Sequence, residues 1–223
     1  MKKFNTLDAA AIIIWLLPLA YLIYVYPSLP ASVAVHFGMN GSPDRYGSKT
    51  EFLAAPFILM GVSVLVYLLM KYLPAIDPKK YVKYGEPTFQ KIGLAIVVLM
   101  AALNIEIMLS ATGGSFKANR LLLPAMGLFF AFMGNVMHSI KPNYFAGLRT
   151  PWTLEDTDTW RATHRLAGKL WFAGGIAVTI LALLLPAKTG MIVFGCVTAV
   201  IVFIPVIYSY VYYKNHHPDK TAE

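Results

Sequence analysis

The chain has 223 residues, of which 57% are hydrophobic and only 13% charged, with a mean hydropathy of +0.59. Soluble domains carry about 25% charged residues, so this composition excludes an ordinary soluble globular protein and points to an integral membrane protein. The net charge of +8 comes from lysines and arginines gathered between apolar runs, which suits attraction to anionic lipid headgroups rather than direct nucleic-acid binding.

Six runs are long enough to cross a bilayer: Asp8–Tyr26, Phe52–Leu73, Ile92–Ala111, Leu121–His138, Leu170–Pro186 and Met191–Tyr213. Each is close to the roughly 20 residues that a helix needs for the hydrocarbon core. The fifth is the shortest and could begin earlier, near Gly168. Backbone at membrane depth must satisfy its own hydrogen bonds, and the alternation of a barrel strand is absent, so the runs are predicted to be helices. The expected fold is an all-α polytopic membrane protein with six transmembrane helices.

The first run follows Met1-Lys2-Lys3, and Ser32-Val33-Ala34 would serve as a cleavage site, so a signal peptide is the competing reading. The run is long for a signal peptide, and Pro27 and Pro30 follow it; it is read as a retained span. The loop at 27–50 holds the alternating stretch Val33-Ala34-Val35-His36-Phe37, the turn pair Asn40-Gly41, and a second turn at Ser42–Gly47. An ordered outer hairpin is expected, with His36, Asp44 and Arg45 as candidate ligand-binding residues. His36 and Asp44 alone are too few for a metal site.

Residues 1–74 form a predicted two-helix N-terminal module. A linker at 75–90 follows, carrying Pro78, Gly85 and Pro87 among lysines, and then a four-helix domain at 91–223. Pro18 and Pro205 fall deep enough to kink their helices. Glu106 is the one acid well inside a span, about 7 Å from its outer end at helical rise. A buried carboxylate needs a partner, and Arg120 at the start of the next helix is the candidate cation. Two readings stand: a proton or ligand site, and a clasp between spans three and four.

Asn135 and His138 share one side of the fourth helix and are expected to bond the loop that follows. The loop at 139–168 is dense in Arg149, Trp152, Trp160 and Arg161, with Pro142 and Pro151 restricting its backbone. Thr153 is a candidate N-cap, with Glu155, Asp156 and Asp158 at the positive end of the helix it would start. Asp156, Trp160 and His164 recur at i, i+4, i+8 and share a face. Such a surface reads as a docking platform for a cytoplasmic partner or as a plug closing the bundle floor. His216-His217 read as a solvated tail. The lone Cys196 cannot form an intrachain disulfide. No phosphate loop, zinc-protease motif or nucleophile elbow is present, so no enzyme, cofactor or metal centre is expected.

Orientation follows from the bias of Lys and Arg toward the cytoplasm. With both termini cytoplasmic, only Arg45, Lys49, Lys117, Arg120 and Lys188 of the 19 Lys and Arg lie outside.

Gly134-Asn135, then Gly147-Leu148-Arg149-Thr150-Pro151-Trp152-Thr153-Leu154 and Trp160, resemble the signature of the SdpI family. The segment from Leu29-Pro30 through His36, Gly41, Pro43-Asp44 and Lys49 is similar to the small N-terminal module often joined to it. The resemblance covers nearly the whole chain. It implies a six-helix protein of the bacterial cytoplasmic membrane that protects against a secreted peptide toxin and holds a small cytoplasmic DNA-binding repressor at the inner face. The alternative is a small proton-coupled transporter using Glu106.

Overall fold

The computed structural model describes residues 3–38, 43–76, 86–112 and 119–217. Helix α1 (Thr6–Val25) starts at a capping box: the Asn5 side chain accepts the amides of Leu7 and Asp8, and the Asp8 carboxylate accepts the Asn5 amide. After a 3-10 turn at Tyr26–Ser28, strands β1 (Ser32–Phe37) and β2 (Pro43–Ser48) pair antiparallel. The register shifts around His36, as at a bulge. The hairpin expected at 27–50 is therefore present, although its Asn40-Gly41 turn lies outside the described residues.

Ser48 caps the short helix α2 (Lys49–Phe52), and α3 (Ala54–Ile76) follows. The chain then builds α4 (Glu86–Ala111), α5 (Asn119–Met137), α6 (Pro151–Glu155), α7 (Thr157–Leu184) and α8 (Ala187–His216).

Among the described residues, five helical stretches are long and apolar enough to cross a membrane: Thr6–Ser28, Lys49–Ala75, Pro87–Ala111, Thr157–Leu184 and Ala187–His216. The protein is thus an all-α polytopic membrane protein with one small β-hairpin. The fourth predicted run is also a helix, but its apolar part, Leu121–Met137, is shorter than the others. At helical rise it spans about 26 Å, slightly less than a typical hydrocarbon core.

The predicted boundaries shift at the loops. The fifth run, expected to be the shortest and to begin near Gly168, starts earlier still as part of a long helix. It is the second half of α7, a continuous helix of 28 residues from Thr157, so the loop expected at 139–168 ends at residue 156. The N-cap of α7 is Asp156 rather than Thr153. The Thr153 hydroxyl is already engaged inside α6, where Thr150 is the cap and Pro151 occupies the first turn. Helix α3 also runs through Pro74 and α4 begins at Glu86, which narrows the expected linker at 75–90.

Among the described residues, three buried clusters hold the bundle together. At the end of the bundle where α1 begins and α8 ends, Leu73, Phe89, Ile92, Met137, Ile140 and Trp160 pack together. At the other end, Leu22, Leu29, Val33, Phe52 and Met108 seat the hairpin on the helices. A third cluster, Ala11, Tyr67 and Val97, joins α1, α3 and α4 between them.

Helices α5 and α7 meet through glycines. A Cβ on Gly134 would press on the backbone of Phe172 and stand 2.7 Å from the Gly168 carbonyl. One on Gly175 would stand 2.5 Å from the Gly127 carbonyl. The glycines recur seven residues apart on both helices, so the backbones approach closely at two levels.

Pro205 lies inside α8 and has no amide to give the carbonyl four residues earlier, at Ile201. The indole of Trp171 on α7 donates to that carbonyl at 2.9 Å. A backbone acceptor that hydrocarbon could not satisfy is thereby paired.

Candidate functional site

The loop between α5 and α7 is built around Asn143, which is fully buried. Its side-chain oxygen accepts the amides of Phe145 and Ala146, each at 2.7 Å. Its nitrogen donates to the carbonyls of Lys141 at 2.8 Å and Ala146 at 3.0 Å. Every hydrogen-bonding capacity of the amide is used, so the turn is fixed by one side chain.

Gly147 follows with φ of +108°, a conformation that favours glycine. A Cβ there would also collide with the ring of His164. The Leu148 amide donates to His164 Nε2 at 3.1 Å, and His164 Nδ1 lies 2.9 Å from the Trp160 carbonyl. These bonds define a neutral imidazole with its proton on Nδ1. The Trp160 ring stacks on His164 at 4.1 Å and donates its indole N–H to the Ile140 carbonyl at 2.9 Å.

Thr150 caps α6, and its hydroxyl lies 3.1 Å from Ser209 on α8. Trp152 packs its ring on Tyr210 of the same helix, centroids 5.0 Å apart. Asp156 then caps α7 by accepting the amide and hydroxyl of Thr159, each at 2.6 Å. Burial pushes the Asp156 carboxyl up. The Thr159 hydroxyl and amide, the Asp158 amide and nearby His217 outweigh that and hold it below the usual carboxylate range.

The expected platform residues therefore separate. Trp160 is 1% exposed and anchors the loop from inside. Trp152 is half-buried against α8, whereas Arg149 and Arg161 are exposed. Arg149 donates to the Tyr144 carbonyl, and Arg161 pairs with Asp158 at 3.3 Å. Asn135 on α5 and His138 just after it, expected as bonding partners of this loop, are both exposed. The contacts expected of them are made instead by Asn143 and His164, which lie within the loop and on α7.

At the hairpin end, His36 and Asp44 pair across the strands at 2.5 Å, and Arg45 reaches Glu51 at 2.7 Å. All four side chains are exposed. Among the described residues no cluster of three or more His, Cys, Asp or Glu forms a metal site.

Glu106 has a partner, but the expected cation is not the group that the structure describes. Its carboxylate accepts the Leu122 amide at 3.0 Å, in the first turns of α5. A carboxylate there meets the positive end of a helix. The Arg120 side chain lies outside the described residues. The geometry is that of a clasp between α4 and α5.

The sequence reading missed a second polar centre. Asp8 on α1 and Lys71 on α3 form an ion pair at 2.8 Å, with both residues buried. Tyr67 donates to Asp8 at 2.8 Å, and Gln90 on α4 donates to Tyr67, Asp8 and Asn5. Asp8 and Lys71 sit at the edges of long apolar runs, where each reads as an ordinary flanking charge. Their spacing across separate helices left no local signal.

Comparison with known proteins bears on the loop just described. Residues 139–209 match the SdpI/YfhL protein family. The match begins just after α5 and ends at Ser209, the partner of Thr150. Residues 13–60, spanning most of α1, the hairpin and the start of α3, match a domain of unknown function, DUF1648. The chain is 26% identical over 215 residues to "Immunity protein SdpI" of Bacillus subtilis (strain 168), covering 96% of this chain and 98% of that protein. It is also 36% identical over 62 residues to an uncharacterized protein of Archaeoglobus fulgidus, covering 28% of this chain and 32% of that one. No solved structure matches. The resemblance read from the loop motif is thus supported at the level of the family.

Proposed function

We propose that this chain is an SdpI-like immunity and signal-transducing protein of the bacterial cytoplasmic membrane, without catalytic activity. It senses a secreted peptide toxin outside and docks a small DNA-binding repressor inside. The observation that carries this reading is the similarity to an immunity protein along 96% of the chain. In this reading residues 1–74 are the sensing module, with His36, Asp44 and Arg45 on its hairpin. Residues 91–223 are the SdpI-like domain, joined through the cytoplasmic linker 75–90.

Six helices cross, α5 included, and both termini are cytoplasmic. A single cysteine at Ser42 in a Cys196→Ala background is expected to react with an impermeant thiol reagent in intact cells, and one at Thr157 is not. External labelling at Thr157 would reverse the orientation.

The docking surface is the exposed side of the loop, Tyr144, Phe145 and Arg149, together with the exposed Arg161 on α7. Trp160 and Trp152 hold it in place from below. Phe145→Asp is expected to leave membrane abundance within about twofold of wild type while recruitment of the repressor falls by at least about tenfold, the usual reach of a lost interface anchor. Abundance and recruitment falling in proportion would mean that the loop only closes the bundle. Glu106→Gln serves as the contrast. Its use in capping α5 predicts lower abundance with recruitment per molecule unchanged, whereas a proton-coupled transporter would lose activity at normal abundance.

A further inference from the structure

At the end of the bundle where α1 begins and α8 ends, a cleft of about 950 Å³ opens between the end of α5, the loop that follows it and the first turns of α7. Ile140 and Trp160 form its apolar floor, and His138, Lys141, Arg161 and Arg165 stand around it. Among the described residues, no Asp or Glu lines it. The nearest described carboxylate partner is Asp158, which reaches Arg161 at 3.3 Å with both side chains exposed.

The origin of the recess is a difference in helix length. The apolar part of α5 ends at Met137, whereas α7 begins at Thr157 and runs for 28 residues. Thirteen polar-rich residues of α7, Thr157–Lys169, precede its apolar half. Beside them, the space that a longer α5 would fill is left open. The recess therefore falls at the boundary between hydrocarbon and water. There, Arg and Lys stems lie on apolar surface while their heads reach the headgroup layer.

We propose that this cleft binds the phosphate headgroup of an anionic phospholipid of the adjacent leaflet. Charge and depth select the ligand. Arg161 and Arg165 are one helical turn apart and project together, Lys141 and His138 line the same recess, and a planar guanidinium suits phosphate oxygens. A lipid also supplies acyl chains for the bilayer side of the apolar floor, which a free anion does not. With the orientation proposed above, the leaflet is the cytoplasmic one. The binding test itself does not depend on orientation or on the immunity reading, so either can fail alone.

The full-length protein, purified in mild detergent, is exchanged into nanodiscs of phosphatidylcholine with and without phosphatidylglycerol. Retained lipid is then counted by native mass spectrometry. Each cation near an anionic surface strengthens binding by about fivefold, so Lys141→Gln with Arg165→Gln is expected to lower retained phosphatidylglycerol by at least about tenfold. Its unfolding midpoint in pure phosphatidylcholine stays at the wild-type value. Lys188→Gln, at the opposite end, keeps the lipid. Equal retention by the double variant and wild type would overturn the proposal. Displacement of the lipid by inorganic phosphate would also overturn it, in favour of a free-anion site. Displacement by an Asp/Glu-rich peptide would do so in favour of a protein partner. If the double variant fails to fold, the charge-preserving pair Lys141→Arg with Arg165→Lys decides: it must retain the lipid, and loss of binding there would sink the idea.

Discussion

Gly134→Leu is expected to remove most folded protein from the membrane. The Cβ alone would press on the backbone of Phe172 and stand 2.7 Å from the Gly168 carbonyl. These are backbone atoms, so no rotamer change on α7 relieves the clash. The two helices must separate, and the second close approach, at Gly127 and Gly175, is lost with the first. Overpacking a well-fitted contact costs about 1–3 kcal/mol when side chains can adjust. Here they cannot, and the loss should lie at or above the top of that range. The control is Gly195→Leu on α8, where an added Cβ meets nothing within 4 Å. Membrane abundance and the unfolding midpoint in detergent should fall sharply for the first variant and stay near wild type for the second. Equal behaviour of the two would mean that α5 and α7 are not tightly packed in the membrane.

This contact shows where the sequence could be read and where it could not. The apolar runs announced the helices because hydrocarbon imposes one length and one hydrogen-bonding solution on any spanning segment. The hairpin was legible from alternation and a turn pair, both local properties. Gly134 was noticed for its place in a motif, but its role depends on Gly168 and Phe172, which lie on the far side of a long loop. A glycine has no side chain to advertise what faces it.

The loop at 139–168 divides in the same way. Pro151 and the threonines beside it mark a helix start, and the structure puts one there. Which threonine serves as the cap was decided by contact: Thr153 is held by Thr150 and Leu148, leaving Asp156 to cap α7. Trp160 read as part of a docking platform because composition cannot separate a ring at the surface from one buried beneath a loop. Its place is set by the Ile140 carbonyl and the His164 ring. Asn143 drew no attention because an asparagine in a loop is ordinary until its four hydrogen bonds are counted. The specificity of the Gly147–Leu154 string now has a physical basis. Gly147 turns the backbone over His164, Leu148 bonds that ring, Thr150 and Thr153 cap α6, and Trp152 lies on α8.

Breaking the Asp8–Lys71 pair from one side should cost more than removing it whole. The pair joins α1 to α3 at 2.8 Å, with only 6% and 9% of the two side chains exposed. Lys71→Met leaves the Asp8 carboxylate buried beside Tyr67 and Gln90, and Asp8→Leu takes from the ammonium the carboxylate that it meets at 2.8 Å. Removing one partner of such a pair generally costs about 3–5 kcal/mol, whereas replacing both with apolar residues is often neutral or stabilising. Full recovery is not expected in this network. Tyr67 and Gln90 would lose an acceptor in the double variant, and the α1 capping box would lose its Asp8 carboxylate. The double variant Asp8→Leu/Lys71→Met should therefore be more stable than either single variant, but less stable than wild type. Thermal unfolding in detergent measures all four proteins and yields the coupling between the two sites. Additive losses would show that the charges do not stabilise one another across α1 and α3. The N-terminal helix would then be held by its apolar packing on α3 and α4 and by neutral hydrogen bonds such as Asn5–Gln90 and Trp15–Met60.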